Sequence, residues 1–264
     1  MENYFYGIYY KFQWDSGDTV AVIASDKALQ IMWEGQVYVS AYSEKVECDF
    51  DAGRLSFSVA DKTFKARADI RFLHRSPLTY DIMGPFKFAP DIVCKHKVYS
   101  MESCALGDMN IQGKSYKLSE ARVYVEGDRG RSFPDRYMWT HCFLPNGSMM
   151  LAVARLRVMK KIFTGIICVV QEKGHQYRLA TYLGAKVRIA GPETVMVKQG
   201  KSQLTVTVHK NHGEAFQLLA PRNGKMTDKI KECLSGKADI EFKKGSRTIV
   251  NADAVNSSFE WVKL

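Results

Sequence analysis

The 264-residue sequence predicts an all-β chain of two antiparallel barrel or sandwich domains. Three observations carry that expectation: apolar and polar residues alternate with period two, turn residues punctuate the alternation, and charge is divided unevenly between the two halves. Alternation is the signature of a strand with one buried and one wet face. The longest example is Phe64-Lys65-Ala66-Arg67-Ala68-Asp69-Ile70-Arg71-Phe72. Leu55–Val59, Leu204–Val208 and Ala238–Phe242 repeat it. Val20–Ala24, Val37–Tyr42, Arg122–Val125, Leu151–Val158, Phe163–Val170 and Tyr177–Ile189 also read as strands, rich in Val, Ile, Thr and aromatic residues.

Between these runs lie Asp51-Ala52-Gly53, Gly113-Lys114, Asn146-Gly147 and Asn223-Gly224. Asn-Gly tolerates the positive φ angles of a type I′ hairpin turn, so Asn146-Gly147 is expected to sit at such a turn. One segment favours helix. Thr227 is a capping residue, Ile230, Cys233 and Leu234 share a helical face, and Gly236 suits an end. A short accessory helix is therefore expected near 227–235. No strand–helix alternation appears, which argues against a nucleotide-binding α/β fold, and no internal sequence repeat is evident.

The net charge of +10 lies almost wholly in the second half. Residues 1–125 carry 15 Lys/Arg against 16 Asp/Glu, and residues 126–264 carry 23 against 12. Domains of 1–125 and 126–264 are expected on that ground. The basic run Arg155-Leu156-Arg157-Val158-Met159-Lys160-Lys161 suits transient contact with an anionic membrane surface, and nucleic acid is the weaker partner for it. The N-terminus has neither a basic n-region nor an apolar h-region, and no apolar run is long enough to span a bilayer, so a cytoplasmic protein is expected, in part peripheral to the membrane. Six cysteines without a C-x-x-C pair suggest reduced thiols rather than zinc. No metal, nucleotide or other cofactor signature is present.

Two stretches do not read as regular strands. Ser76–Pro90 holds three prolines among aromatic and apolar residues, as a packed irregular segment does. Glu126–Cys142 gathers carboxylates, arginines, glycines and Trp139. On a strand Glu126 and Asp128 point to the same side, roughly 7 Å apart. Such a pair divides acid and base roles, or else Arg129 or Arg131 pairs with it structurally. His141 alternates with Trp139 and has a pKa suited to proton transfer.

At these residues the sequence resembles the tocopherol cyclase-like family and, more distantly, carotenoid hydratases and related lipocalin-like two-domain proteins. The resemblance is carried by Tyr4–Lys11, by Met83-Gly84-Pro85-Phe86 with Cys94-x-His96 and Ser100-Met101, by Glu126-x-Asp128-x-Gly130-x-x-Phe133-Pro134 with Trp139, and by Ala180-Thr181-Tyr182-x-Gly184-Ala185-Lys186. It implies two calycin-like barrels with a cavity for an apolar or amphipathic small molecule. The chemistry it implies is acid attack on an isoprenoid or lipid alkene, leading to cyclisation, hydration or isomerisation. In that frame Asp128 is the expected proton donor, with Glu126, His141 and His96 as partners or relays. Trp139, Tyr182, Phe86, Phe133 and Met83 are expected to contact ligand, and Arg129 to suit an anionic group on it. The chain departs from the family pattern at Tyr6 and Ile8, where an acidic residue and a Trp are usual, and at Arg129, where a Trp is usual. Those departures keep a non-catalytic lipid carrier or sensor as the alternative.

Overall fold

The computed structural model describes residues 3–90, 92–158, 161–191, 193–209 and 215–263. Most of them lie in strands, arranged as two ten-stranded antiparallel sheets. The first sheet comprises β1 (Phe5–Gln13), β2 (Thr19–Ser25), β3 (Ala28–Trp33), β4 (Gln36–Ala41), β5 (Val46–Phe50), β6 (Arg54–Ala60), β7 (Lys65–His74), β8 (Cys94–Ile111), β9 (Lys114–Tyr116) and β10 (Arg122–Gly130). Its order is β4-β3-β2-β1-β10-β8-β7-β6-β5, with β9 paired to β8. The second comprises β11 (Tyr137–Leu144), β12 (Gly147–Val158), β13 (Lys161–Glu172), β14 (His175–Ala180), β15 (Lys186–Ala190), β16 (Thr194–Gln199), β17 (Ser202–Val208), β18 (Ala215–Arg222), β19 (Lys225–Lys244) and β20 (Arg247–Val262). Its order is β14-β13-β12-β11-β20-β19-β17-β16-β15, with β18 paired to β19. Along the main path the two orders correspond position by position, although the extra strand follows β8 in the first sheet and precedes β19 in the second. The duplication is invisible in the sequence because a sheet constrains alternation and turn position, not residue identity.

Each unit has its own apolar core. In the first, Ile8, Tyr10, Phe12, Val123, Val125 and Phe72 pack together with rings stacked, Tyr10 on Phe72 at 5.1 Å between centroids. In the second, Met138, Leu151, Val153, Cys168, Ile240 and Phe242 do the same. The described cysteines are all free thiols, as their spacing suggests.

The units do not divide at residue 126. One unit takes Met1–Thr79, His96–Ser132 and Leu218–Lys229, and the other takes Tyr80–Lys95, Phe133–Gln217 and Ile230–Leu264. Residue 126 lies inside β10, which pairs along its whole length with β1. The charge step therefore coincides with neither a strand end nor a unit boundary, and the units themselves divide within β8, β18 and β19.

The helix expected near 227–235 does not form, and no α-helix occurs among the described residues. The segment is part of β19, whose burial alternates, with Ile230, Glu232, Leu234 and Gly236 more covered than Lys229, Lys231, Ser235 and Lys237. A cap and a short apolar face contribute little beside a ladder shared with β20, so tertiary pairing overrides the local preference. Asn146-Gly147 also differs from expectation. The loop between β11 and β12 is Pro145-Asn146, with Gly147 already paired to Leu144. Proline holds φ negative, which forbids a type I′ turn. Gly147 serves close approach instead, since a Cβ there would fall 2.0 Å from the Gln171 carbonyl oxygen.

Ser76–Pro90 is irregular, as its prolines dictate, and contains one 3-10 turn, Gly84–Phe88. Within the second unit, Tyr80–Ala89 is pinned by Arg178 on β14. Arg178 Nη1 donates to the Asp81 carbonyl at 2.7 Å and Nη2 to the Tyr80 carbonyl at 2.8 Å, and the guanidinium lies 3.5 Å above the Tyr80 ring. Tyr182 donates its hydroxyl to the Ile82 carbonyl at 2.9 Å. Burial of Ile82 and Met83 completes the anchor. Gly84 has φ +52°, and a Cβ on it would meet the Tyr182 ring at 2.6 Å. Arg178→Ala, which removes three of these contacts at once, is expected to loosen the strap. Limited trypsinolysis followed by mass spectrometry should then show cleavage after Lys87 well before any cut in the wild type, and an unchanged cleavage order would show that the apolar anchors suffice.

Candidate functional site

The site is built on β8 and β10, neighbours in the first sheet. Alternation along β10 sends Val123 and Val125 into the core and turns Tyr124, Glu126 and Asp128 to the other face. On β8, Tyr99 packs with the core while His96 takes the opposite parity and joins the carboxylates. His96 Nδ1 lies 3.0 Å from Asp128 Oδ1, and His96 Nε2 lies 3.1 Å from Glu126 Oε2. Tyr124 donates its hydroxyl to the same Glu126 oxygen at 2.6 Å. The result is a chain Tyr124–Glu126–His96–Asp128, closed from water except at its last member. The side chains of His96, Glu126 and Asp128 are 12%, 7% and 22% exposed.

Burial alone would lower the pKa of His96, but the charges of Glu126 and Asp128 and their hydrogen bonds outweigh it, and the pKa is held well above 6.5. The imidazole is therefore a cation that stores one proton between two carboxylates. Tyr124 is pushed well above 10 by its own burial and then by the Glu126 charge, so it stays a phenol and serves as a donor. Three donor atoms, one each from His96, Glu126 and Asp128, lie within 4.8 Å of one another, a spacing that a cation can span. The imidazole, however, turns a different nitrogen to each carboxylate. Only one nitrogen can ligate a given ion, so this arrangement favours a proton over a shared metal.

Register supplies residues that sequence reasoning did not single out as site members. Gly7 stands directly opposite Asp128, and Tyr9 opposite Glu126. Gly7 presents no side chain, so Phe5 and Tyr9, both buried, flank the space diagonal to Asp128. The signal was in the alternation Phe5-x-Gly7-x-Tyr9, but it needed the β1–β10 register to acquire meaning.

The expected site residues fall in three places. His96, Glu126 and Asp128 come together. Arg129 is exposed and stands opposite Tyr6, on the other face of β10 from the carboxylates, so their partner is His96 and not this guanidinium. His141, Trp139, Phe133, Tyr182, Phe86 and Met83 belong to the second unit. There His141 is fully buried, edge-on to Phe143 at 4.8 Å, and Trp139 is buried on the same face of β11. Phe86 packs against Phe163 at 5.5 Å and edge-on to Tyr182 at 6.0 Å, within the strap. Phe133 lies edge-on to Tyr137. The acids also do not line the first unit's apolar core, where a ligand in the barrel interior would lie. They occupy the opposite face, because Val123 and Val125 fix the parity of β10.

Two antiparallel sheets of one topology, with a proton chain on one of them, define a two-domain lipocalin-like β-protein. A family model described as tocopherol cyclase-like matches residues 91–260. The chain belongs to that family. Among solved structures it is similar to CghA, crystallised with Sch210972, at TM-score 0.58 and 10% identity over 100% of this chain and 89% of that one. It is also similar to kievitone hydratase from Nectria haematococca, at TM-score 0.57 and 8% identity over 97% and 88%. An AttH-like protein from Nitrosomonas europaea matches at 0.54 and 10% over 98% and 92%. These likenesses concern the fold. No curated protein sequence matches the chain.

Stability linked to His96 follows from the direction of its shift. A raised pKa contributes stability fully below the unfolded value of about 6.5, and the contribution is lost as pH rises through the folded value. Nitrogen-15 NMR at pH 7.5 is expected to show His96 doubly protonated, and Glu126→Gln should move its titration midpoint downward. A neutral imidazole at that pH in the wild type would contradict the charge assignment.

Proposed function

We propose that the protein binds an apolar or amphipathic small molecule and transfers a proton on it, with Asp128 as the group that meets the ligand. The observation that carries this reading is the buried chain Tyr124–Glu126–His96–Asp128, whose most exposed end is Asp128. Family membership supports an isoprenoid or lipid substrate, and one protein of similar fold is a hydratase by name.

Isomerisation, hydration and cyclisation share one pattern. A proton is added to an alkene carbon, and another is taken from carbon, from water or from a ligand hydroxyl. One carboxyl that is reloaded by its neighbour performs both transfers. In this assignment the proton held on His96 passes to the Asp128 carboxylate and from that carboxyl to the alkene, the proton taken up later returns through Asp128 to His96, and Glu126 with Tyr124 holds the imidazole in place. With His96 charged, the two carboxylates leave the cluster net negative, which stabilises positive charge developing on the ligand. Phe5 and Tyr9 add ring faces for the same purpose. An imidazolium held above its ordinary pKa is a weak acid. The reading therefore favours an alkene activated by an electron-rich ring or another conjugated donor over an isolated double bond.

The departures at Tyr6 and Ile8 bear on this reading less than their position in the sequence suggests. Both residues have the parity of Tyr10 and Phe12, on the face of β1 away from Gly7 and Asp128. They change the core side and leave the proton chain intact.

The test is turnover of supplied prenyl quinols and polyenes in D2O, read as carbon-bound deuterium by mass spectrometry. Asp128→Asn keeps shape but not the transferable proton, and is expected to lower the rate at least about a hundredfold with an unchanged circular dichroism spectrum. An unchanged rate would remove Asp128 from the mechanism. A ligand retained in native mass spectra without any conversion would favour the carrier.

A further inference from the structure

The basic run noted in the sequence begins at Arg155, and the proton chain does not use it. Met159 and Lys160 of that run lie outside the described residues. Arg155 lies in a cleft of about 350 Å³ in the second unit, together with Arg136. That volume is in the range of small-molecule sites. The ladder between β11 and β12 continues one residue beyond Tyr137↔Ala154, with the Arg155 amide donating to the Arg136 carbonyl at 2.9 Å. The two arginines are therefore direct cross-strand neighbours on one face. Like charges so placed repel each other. Among the described residues no carboxylate lies within 4.0 Å of either guanidinium. Below them the cleft is walled by Val153, Phe163 and Val187, side chains that pack with or beside the second core.

Two unpaired guanidiniums above an apolar wall are complementary to a molecule with an anionic head and a hydrocarbon body. We propose that this cleft binds a single anionic amphiphile, its carboxylate or phosphate between Arg136 and Arg155 and its chain against Val153 and Val187. Arginine suits either head, because its planar fork accepts two oxygens at once. The head also relieves the repulsion between the guanidiniums, which gives an anion a reason to bind beyond its own hydrogen bonds. The proposal is independent of the proton chain, since every residue it uses belongs to the second unit.

Calorimetry below the micellar concentration, with dodecanoate, dodecyl phosphate and dodecanol, tests it. The two anions are expected to bind and dodecanol to bind at least tenfold more weakly. Arg136→Gln and Arg155→Gln, both at exposed positions, should each weaken anion binding by roughly tenfold and leave dodecanol unchanged. Methyl NMR should place the shifts at Val153, Ile162 and Val187. Equal affinity for dodecanoate and dodecanol, or wild-type affinity in the double variant, would overturn the proposal. So would inorganic phosphate binding as tightly as dodecyl phosphate, because the apolar wall would then contribute nothing. Binding to phosphatidylglycerol vesicles without affinity for soluble dodecanoate would replace it with a membrane-surface role for the basic run.

Discussion

The pairing of β1 with β10 is the constraint on which the first unit depends. Nine consecutive cross-strand pairs join Phe5–Gln13 to Gly130–Arg122. They bring together segments that lie far apart in sequence, at a loop-closure cost that only extensive burial offsets. The ladder carries two independent sets of side chains. One face delivers Ile8, Tyr10, Phe12, Val123 and Val125 to the core. The other aligns Gly7 with Asp128 and Tyr9 with Glu126. A slip of one residue would exchange the two sets, placing carboxylates in the aromatic core. The hydrophobic pattern that specifies the fold thus also specifies the position of the acids.

Burial on the second face explains the chemistry of the chain. A buried carboxylate costs free energy unless it is paired and hydrogen-bonded. Glu126 meets that requirement twice, from Tyr124 and from His96, and His96 in turn contacts Asp128. Each member contacts the next, and the chain runs from the fully buried Tyr124 to Asp128, where exposure is greatest. An array buried at one end and open at the other is suited to passing a proton outward.

Much of the fold was legible, and part of the site. Strands such as Phe64–Phe72 and Leu204–Val208 announced themselves because one face is wet and the alternation is sharp. Tyr177–Ile189 was read as one strand, but the backbone makes a 3-10 turn at Thr181–Leu183 with Gly184 left-handed, splitting it into β14 and β15. The sequence marked Glu126 and Asp128 as a pair on one strand face, and His96 apart from them. It did not reveal that β8 lies beside β10, which is what makes them one group. Nor did it reveal which face of β1 is the core, since Tyr9 and Lys11 are as buried as Ile8 and Tyr10. Where both faces of a strand are covered, period two shows that it is a strand but not which side holds the ligand.

The duplicated topology sharpens the contrast between the units. β11 and β20 occupy the places of β1 and β10. Their ladder sets Trp139 against Glu260 and His141 against Ser258, and Tyr137 donates to Glu260 at 2.7 Å. A Tyr–Glu contact therefore recurs on the matched strand pair. A second carboxylate stands beside it from the neighbouring strand, where the buried Glu232 of β19 pairs with Glu260. What the second unit adds is positive charge at Arg136 and Arg155, on the wall of its cleft.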